Sequence, residues 1–150
     1  MERVIVFNLL QLLVSSYAVI RGGAPEKITG ASLLIATIIT HFVQHAMPSR
    51  FVGIESGVML VDLLLLVVLL VVSLYADRFW PFWLVTFHAI GTGAHLVRAA
   101  DQEVLRMAYA VMTAAWAYPM MLVLALGTAR HVRRMRAEGR DLDWSCRARS

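Results

Sequence analysis

The chain has 150 residues, of which 59% are apolar types and only 16% are charged, and its mean hydropathy is +0.68. Soluble domains average roughly 45–50% apolar and about 25% charged residues. These values exclude a disordered chain and disfavour a water-soluble globule, while a single cysteine, Cys146, excludes a disulfide scaffold. The composition therefore predicts an all-α, polytopic transmembrane helical bundle.

The net charge of +4 is confined to one end of the chain. Segment 129–150 holds seven arginines and three acidic residues, so the remaining residues sum to zero. The basic isoelectric point of about 9.8 therefore gives no support for a nucleic-acid partner. We interpret residues 1–128 as the membrane bundle and residues 129–150 as a basic cytoplasmic tail that attracts anionic lipid.

Five segments approach the roughly 20 mostly apolar residues that a helix needs to cross a bilayer. In chain order, the predicted spans are Val4–Ile20, Ile28–Met47, Gly57–Tyr75, Phe79–Val97 and Val104–Gly127. The third is the most apolar, with Asp62 as its only ionisable residue, and Pro119 predicts a kink or break in the fifth. The first span is short and ends near Ser16-Tyr17-Ala18, so a cleaved signal peptide, leaving four spans, is the alternative.

Orientation follows from the distribution of lysine and arginine between the two sides of the five predicted spans. Ten basic residues fall on one side, including Arg21, Lys27, Arg78 and the tail, and four fall on the other. The basic side is expected to be cytoplasmic. We therefore predict a multi-pass protein of the inner membrane with its N-terminus outside and its C-terminus in the cytoplasm.

Polar residues lie along single faces of the predicted spans. His41 and His45 are one turn apart on the second span, and His88 and His95 are two turns apart on the fourth. The first span adds Asn8, Gln11 and Ser15 at similar spacing. Polar stripes in lipid turn toward the bundle interior. With the predicted topology, His41, His45, Asp62 and His95 lie at one level in the outer leaflet, with His88 near the midplane.

Several chemistries fit such a cluster. A transition metal is one, with His41, His45, Asp62 and His95 as the predicted ligands. Axial ligation of haem b is another, and its predicted ligands are His41, His88 and His95. A proton relay is the third. The alternative to all three is packing, in which the histidines hydrogen-bond between helices and Asp62 pairs with Arg50 or Arg98.

The string His88-Ala-Ile-Gly-Thr-Gly-Ala-His95-Leu96 resembles the haem-ligand helix of succinate dehydrogenase cytochrome b subunits. Lys27-Ile-Thr-Gly30, at the start of a span, is similar to that family's Arg-x-Ser/Thr-Gly sequence. The resemblance implies haem ligation by His88 and His95. The resemblance covers only about a dozen residues, and Ala94 stands where the family has an arginine. The subunits of that family also have three spans. The chain is therefore not assigned to it.

These features predict a non-enzymatic accessory or structural subunit of a membrane assembly. The alternatives are a redox or metal-handling protein that uses the His/Asp cluster and a proton-coupled small transporter that acts as an oligomer. The expected partners are the lipid bilayer and either further copies of the chain or other membrane subunits.

Overall fold

The computed structural model describes residues 2–46, 56–100, 115–141 and 143–144. The described residues form five helices and no extended strand. In chain order they are α1 Glu2–Arg21, α2 Ala24–Ala46, α3 Ser56–Tyr75, α4 Trp80–Ala100 and α5 Ala117–Glu138. The predicted all-helical fold is confirmed.

The helices form a closed ring. Each of α1 to α4 packs against the next helix in the chain, and α5 packs against both α4 and α1. The short connections between α1 and α2 and between α3 and α4 make these neighbours antiparallel. Both of these connections lie at the same end of the ring, and the C-terminal half of α5 lies there too, since Arg78 pairs with Glu26 and with Asp141.

Two helices of the described chain are long and apolar enough to cross a membrane, over Ala24–Val43 and Gly57–Tyr75. The apolar part of α1, Ile5–Arg21, is shorter. The first half of the predicted fifth span falls mostly outside the described residues. Trp116, which precedes α5, has helical backbone angles (φ −73°, ψ −18°), and Pro119 lies in the first turn of α5, where a missing N–H is tolerated.

The turn between α1 and α2 is built from small residues and a capping carboxylate. Pro25 lies in the first turn of α2, a position that suits its fixed φ. Glu26 reaches back along the chain, and its Oε2 accepts a hydrogen bond of 3.1 Å from the Gly23 N–H. This contact is one half of a capping box, and it places a negative charge at the positive end of the helix dipole.

Small residues let the helices approach closely. A Cβ atom on Gly30 of α2 would lie 2.9 Å from the backbone oxygen of Ser15 and 3.0 Å from the Cβ of Ala18, both in α1. The backbone of Gly127 in α5 packs closely against the indole ring of Trp80. A Cβ atom added at Gly127 would lie 3.0 Å from that ring. Around these contacts, Leu84 and Leu124 are fully buried in the core. Small-residue contacts of this kind are typical of helices packed within a membrane.

Candidate functional site

A partly open cavity of about 680 Å³ lies between the helices, toward the end formed by the N-terminal half of α1 and the C-terminal half of α2. All five helices contribute to its wall. The polar side chains that line it are Asn8, Gln11, Thr37, Thr40, His41, Asp62, His88 and Thr92. The volume is within the range of pockets that hold small organic molecules.

The amide side chain of Gln11 connects α1 to α2 in the cavity wall through hydrogen bonds. Gln11 is 7% exposed, and its Nε2 donates to the Leu33 carbonyl oxygen at 3.2 Å and to the hydroxyl of Thr37. Thr37 in turn donates to the Leu33 carbonyl at 2.9 Å. The amide N–H groups of Gln11 are therefore committed to α2, and its carbonyl oxygen is left as the atom that can accept a hydrogen bond.

His88 is oriented by the neighbouring helix. Its Nε2 lies 2.9 Å from the backbone oxygen of Asp62 on α3. A carbonyl oxygen only accepts, so Nε2 carries the hydrogen, and in the neutral ring Nδ1 is an acceptor. This tautomer follows from the hydrogen-bond network. A histidine fixed in this way by a backbone carbonyl has the arrangement usual for metal ligands.

Aromatic rings form another part of the wall. Phe87 of α4 and Trp116, just before α5, are stacked with centroids 5.8 Å apart and an angle of 15° between their planes. Both rings line the cavity, together with Phe7, whose ring meets that of Tyr118 edge-on at 5.4 Å. The cavity thus combines hydrogen-bonding groups with flat apolar surfaces.

The structure brings three of the five predicted ligand residues, His41, Asp62 and His88, to this one cavity. The side chains of His45 and His95 lie outside the described part of the structure. Among the described residues, His41, Asp62 and His88 do not belong to a group of three donors within 4.8 Å of one another. Axial ligation of haem through Nε2 of His88 would also require that atom to give up its bond to Asp62. Metal and haem binding here stay predictions.

A second polar cluster lies at the opposite end of the ring and is built around Arg78, in the turn between α3 and α4. Its guanidinium forms ion pairs with Glu26, with Asp141 at 2.9 Å and with Asp143 at 3.2 Å. The Arg78, Glu26 and Asp141 side chains are at most 5% exposed. We call these four residues, with His131, the charge cluster.

His131 of α5 completes the charge cluster. Its Nδ1 lies 2.8 Å from Asp141 Oδ2 and 3.1 Å from Nη2 of Arg78. One nitrogen cannot donate to a carboxylate and accept from a guanidinium at once. We assign the hydrogen bond to Asp141, because that contact is shorter and Nη2 of Arg78 already has carboxylate partners.

The C-terminal segment reaches the charge cluster because α5 ends in a reversal. Gly139 adopts the left-handed conformation, with φ of 69°, and its N–H donates to the Met135 carbonyl at 3.2 Å. The chain then returns to the bundle, where Trp144 forms an antiparallel bridge with Ala76. A Cβ atom on Gly23 would lie 2.9 Å from the His131 ring and would displace the Asp143 carboxylate, so the small residue allows both side chains to approach.

The charge cluster also contains a candidate metal-ligand set. Donor atoms of Glu26, His131 and Asp143 lie within 4.8 Å of one another. The guanidinium of Arg78 already pairs with both carboxylates, so it supplies the positive charge that a metal ion would provide. We interpret the cluster as a structural ion-pair network.

Sequence reasoning missed the charge cluster. In the sequence Arg78 indicates only which side of the membrane its connection lies on, and its partners are 52 to 65 residues away in the chain. One signal was present: Glu26 and Arg78 both fall at connections on the same side of the predicted bundle. Opposite charges at the same end of antiparallel helices are candidates for pairing.

No family model, no curated protein and no solved structure matches the chain. The cavity and the charge cluster are therefore the basis for any functional conclusion.

Proposed function

We propose that this chain is an integral membrane protein that binds a small organic molecule in the cavity between its helices. The observation that carries the proposal is the cavity itself, about 680 Å³ in volume and lined by polar side chains from α1 to α4. A packing role alone would bring these side chains into contact with one another and would leave no space between them. Binding, without a chemical step, is the simplest use of such a wall.

The distribution of residue types supports the membrane part of the proposal. Large apolar side chains cover the outside of the bundle, for example Leu13, Phe42, Leu64 and Leu122, each more than half exposed. Polar side chains such as Ser15, Thr92 and Thr128 are buried inside. A water-soluble protein rarely exposes so much contiguous apolar surface, whereas lipid is a good solvent for it.

The proposed orientation has the N-terminus outside the inner membrane and the charge cluster on the cytoplasmic side. Exposed arginines of α5 lie at the charge-cluster end, as do the exposed rings of Tyr75, Phe79 and Trp83. Basic residues favour the cytoplasmic side, and aromatic rings favour the membrane–water interface. In this orientation all five helices cross the bilayer, and the cavity lies in the outer leaflet.

The single cysteine, Cys146, provides a direct test of this orientation. In a bacterial host, a membrane-impermeant maleimide added to intact spheroplasts should leave the protein unlabelled, while the same reagent added to inverted membrane vesicles should label it. The Cys146→Ser variant is the control for labelling specificity. Labelling in spheroplasts would overturn the orientation without affecting the cavity.

The ligand proposal is tested with 1-naphthol as the probe and with a variant that fills the cavity. Ala36 lines the cavity, and Ala89 is exposed on the outside of α4. We expect saturable binding of one naphthol per chain to the purified protein, measured by calorimetry. Ala36→Phe should weaken this binding at least tenfold, because the added ring occupies the space.

The matched control is Ala89→Phe, which should bind 1-naphthol like the unaltered protein in the same detergent. Equal, unsaturable uptake by all three proteins would contradict the proposal, since it would reflect partition into detergent. Elemental analysis and visible spectra of the same preparation test the metal and haem alternatives. A stoichiometric metal or a Soret band that disappears in His41→Ala would favour those alternatives over an organic ligand.

A further inference from the structure

Several threonine hydroxyl groups on these helices are satisfied in the same way, and one hydroxyl in the cavity wall is not. Thr37, Thr86 and Thr128 each donate a hydrogen bond of 2.9 Å to the carbonyl oxygen four residues earlier in the same helix. This is the usual way for a helix in lipid to satisfy a hydroxyl. Thr92 has no such bond: its Oγ1 is buried and has no partner among the described residues.

Two other hydroxyls share this condition, those of Ser15 and Thr29, but neither residue lines the cavity. Thr92 does line it, and the residue is only 3% exposed. An unsatisfied buried hydroxyl destabilises the fold, because the hydrogen bond that it made to water is lost and not replaced. A hydroxyl in this position is well suited to bind a ligand that enters the cavity.

His88 lies one turn before Thr92 on the same face of α4, and it also lines the cavity. Its Nε2–H is used by the Asp62 carbonyl, which leaves Nδ1 as an acceptor in the neutral ring. The residue as a whole is 9% exposed. The described residues give the His88 ring no hydrogen-bond partner besides the Asp62 carbonyl.

An acceptor and a hydroxyl one helical turn apart favour a ligand group that can both donate and accept a hydrogen bond. A ligand hydroxyl can donate to Nδ1 of His88 and accept from the Thr92 hydroxyl at the same time. A carbonyl or ether group can accept from Thr92 but has no hydrogen for His88. The stacked rings of Phe87 and Trp116 in the same wall favour a flat aromatic body beside this pair.

We propose that the cavity recognises a lipid-soluble phenol, a class that includes hydroquinones, and that His88 and Thr92 bind its hydroxyl group. This inference rests on the proposed function, since it names the ligand class for the same cavity. Recognition involves no covalent step. The apolar residues of the wall, among them Leu33, Leu65 and Met121, accommodate the remainder of the molecule.

The experiment compares 1-naphthol with naphthalene, which has the same rings and lacks the hydroxyl. We expect the protein to bind 1-naphthol about tenfold more tightly than naphthalene, the effect of two hydrogen bonds in a shielded site. Thr92→Val keeps the shape of the side chain and removes its hydroxyl. This variant should lose most of the preference for 1-naphthol, and Thr92→Ser should retain it.

Thr86→Val is the matched control, because Thr86 lies on the same helix, is exposed and does not line the cavity. It should bind both probes like the unaltered protein. Thr92→Val should also melt at the same or a higher temperature than the unaltered protein, because the hydroxyl it removes has no partner. Its probe binding is therefore measured on a folded protein.

The outcomes separate the two proposals. If 1-naphthol and naphthalene bind equally well, and if Ala36→Phe weakens the binding of both, the cavity binds organic molecules and the phenol inference is wrong. If Thr92→Val retains the preference for 1-naphthol, the hydroxyl-binding role of Thr92 is wrong. If neither probe binds saturably to the unaltered protein, the proposed function itself fails.

Discussion

The Arg78→Met variant is expected to lose about 3–5 kcal/mol of stability, the cost of breaking a buried ion pair by removing one partner. The guanidinium is the central cation of the charge cluster, and the Glu26 side chain that it contacts is completely buried. Without Arg78, the carboxylates of Glu26 and Asp141 are left close together in a shielded site. Thermal unfolding in detergent measures the effect, and we expect a decrease of roughly 10 °C.

Two further variants make this test specific. Arg133→Met removes an exposed arginine from α5 and should change the melting temperature by less than about 1 °C. The double variant Arg78→Met with Glu26→Gln should melt above Arg78→Met alone, since it removes one of the uncompensated buried charges. Equal melting temperatures for Arg78→Met and Arg133→Met would show that the charge cluster does not stabilise the fold.

The second large effect is expected at the contact between α1 and α2. Gly30→Leu should destabilise the bundle by about 3 kcal/mol or more, because even a Cβ atom would lie 2.9 Å from the Ser15 backbone oxygen. Backbone cannot move aside as a flexible side chain can, so the two helices must separate. Gly30→Ala should have a smaller effect, since collision is partly offset by about 1 kcal/mol of helix propensity.

Gly93 on α4 provides the matched control for this substitution. A Cβ atom there would meet no described atom within 4 Å. Gly93→Ala should therefore gain helix propensity without a collision and melt at or above the temperature of the unaltered protein. The close α1–α2 contact would be contradicted if Gly30→Leu, like Gly93→Ala, left the melting temperature unchanged or raised it.

Much of the cavity wall is predictable because its residues follow the period of a helix. Thr37 and His41 are one turn apart on α2, as His88 and Thr92 are on α4, and each pair lies in a predicted polar stripe. Polar stripes on otherwise apolar helices are expected to face the interior of a bundle, so their convergence follows from hydropathy and spacing. Asp62 is predictable for the same reason, since it is the only ionisable residue of its span.

The chemistry of that wall is less predictable. Spacing places His88 on the inner face, but it does not reveal that Nε2 is held by the Asp62 carbonyl or that Nδ1 is an acceptor. The unsatisfied hydroxyl of Thr92 is also invisible in the sequence, where it resembles Thr128. These properties depend on the side-chain conformations of His88 and Thr92 and on how α4 packs against α3.

The sequence by itself determined the helical class of this protein and the side chains that face inward, because both depend on local composition and on the 3.6-residue period. Only the tertiary structure decided that the inward faces leave a cavity between them and that Arg78 joins Glu26 to the returning C-terminal segment. Packing volume and ion pairing between residues more than 50 positions apart depend on how the helices meet. The packing of the helices against one another cannot be predicted from a local sequence pattern.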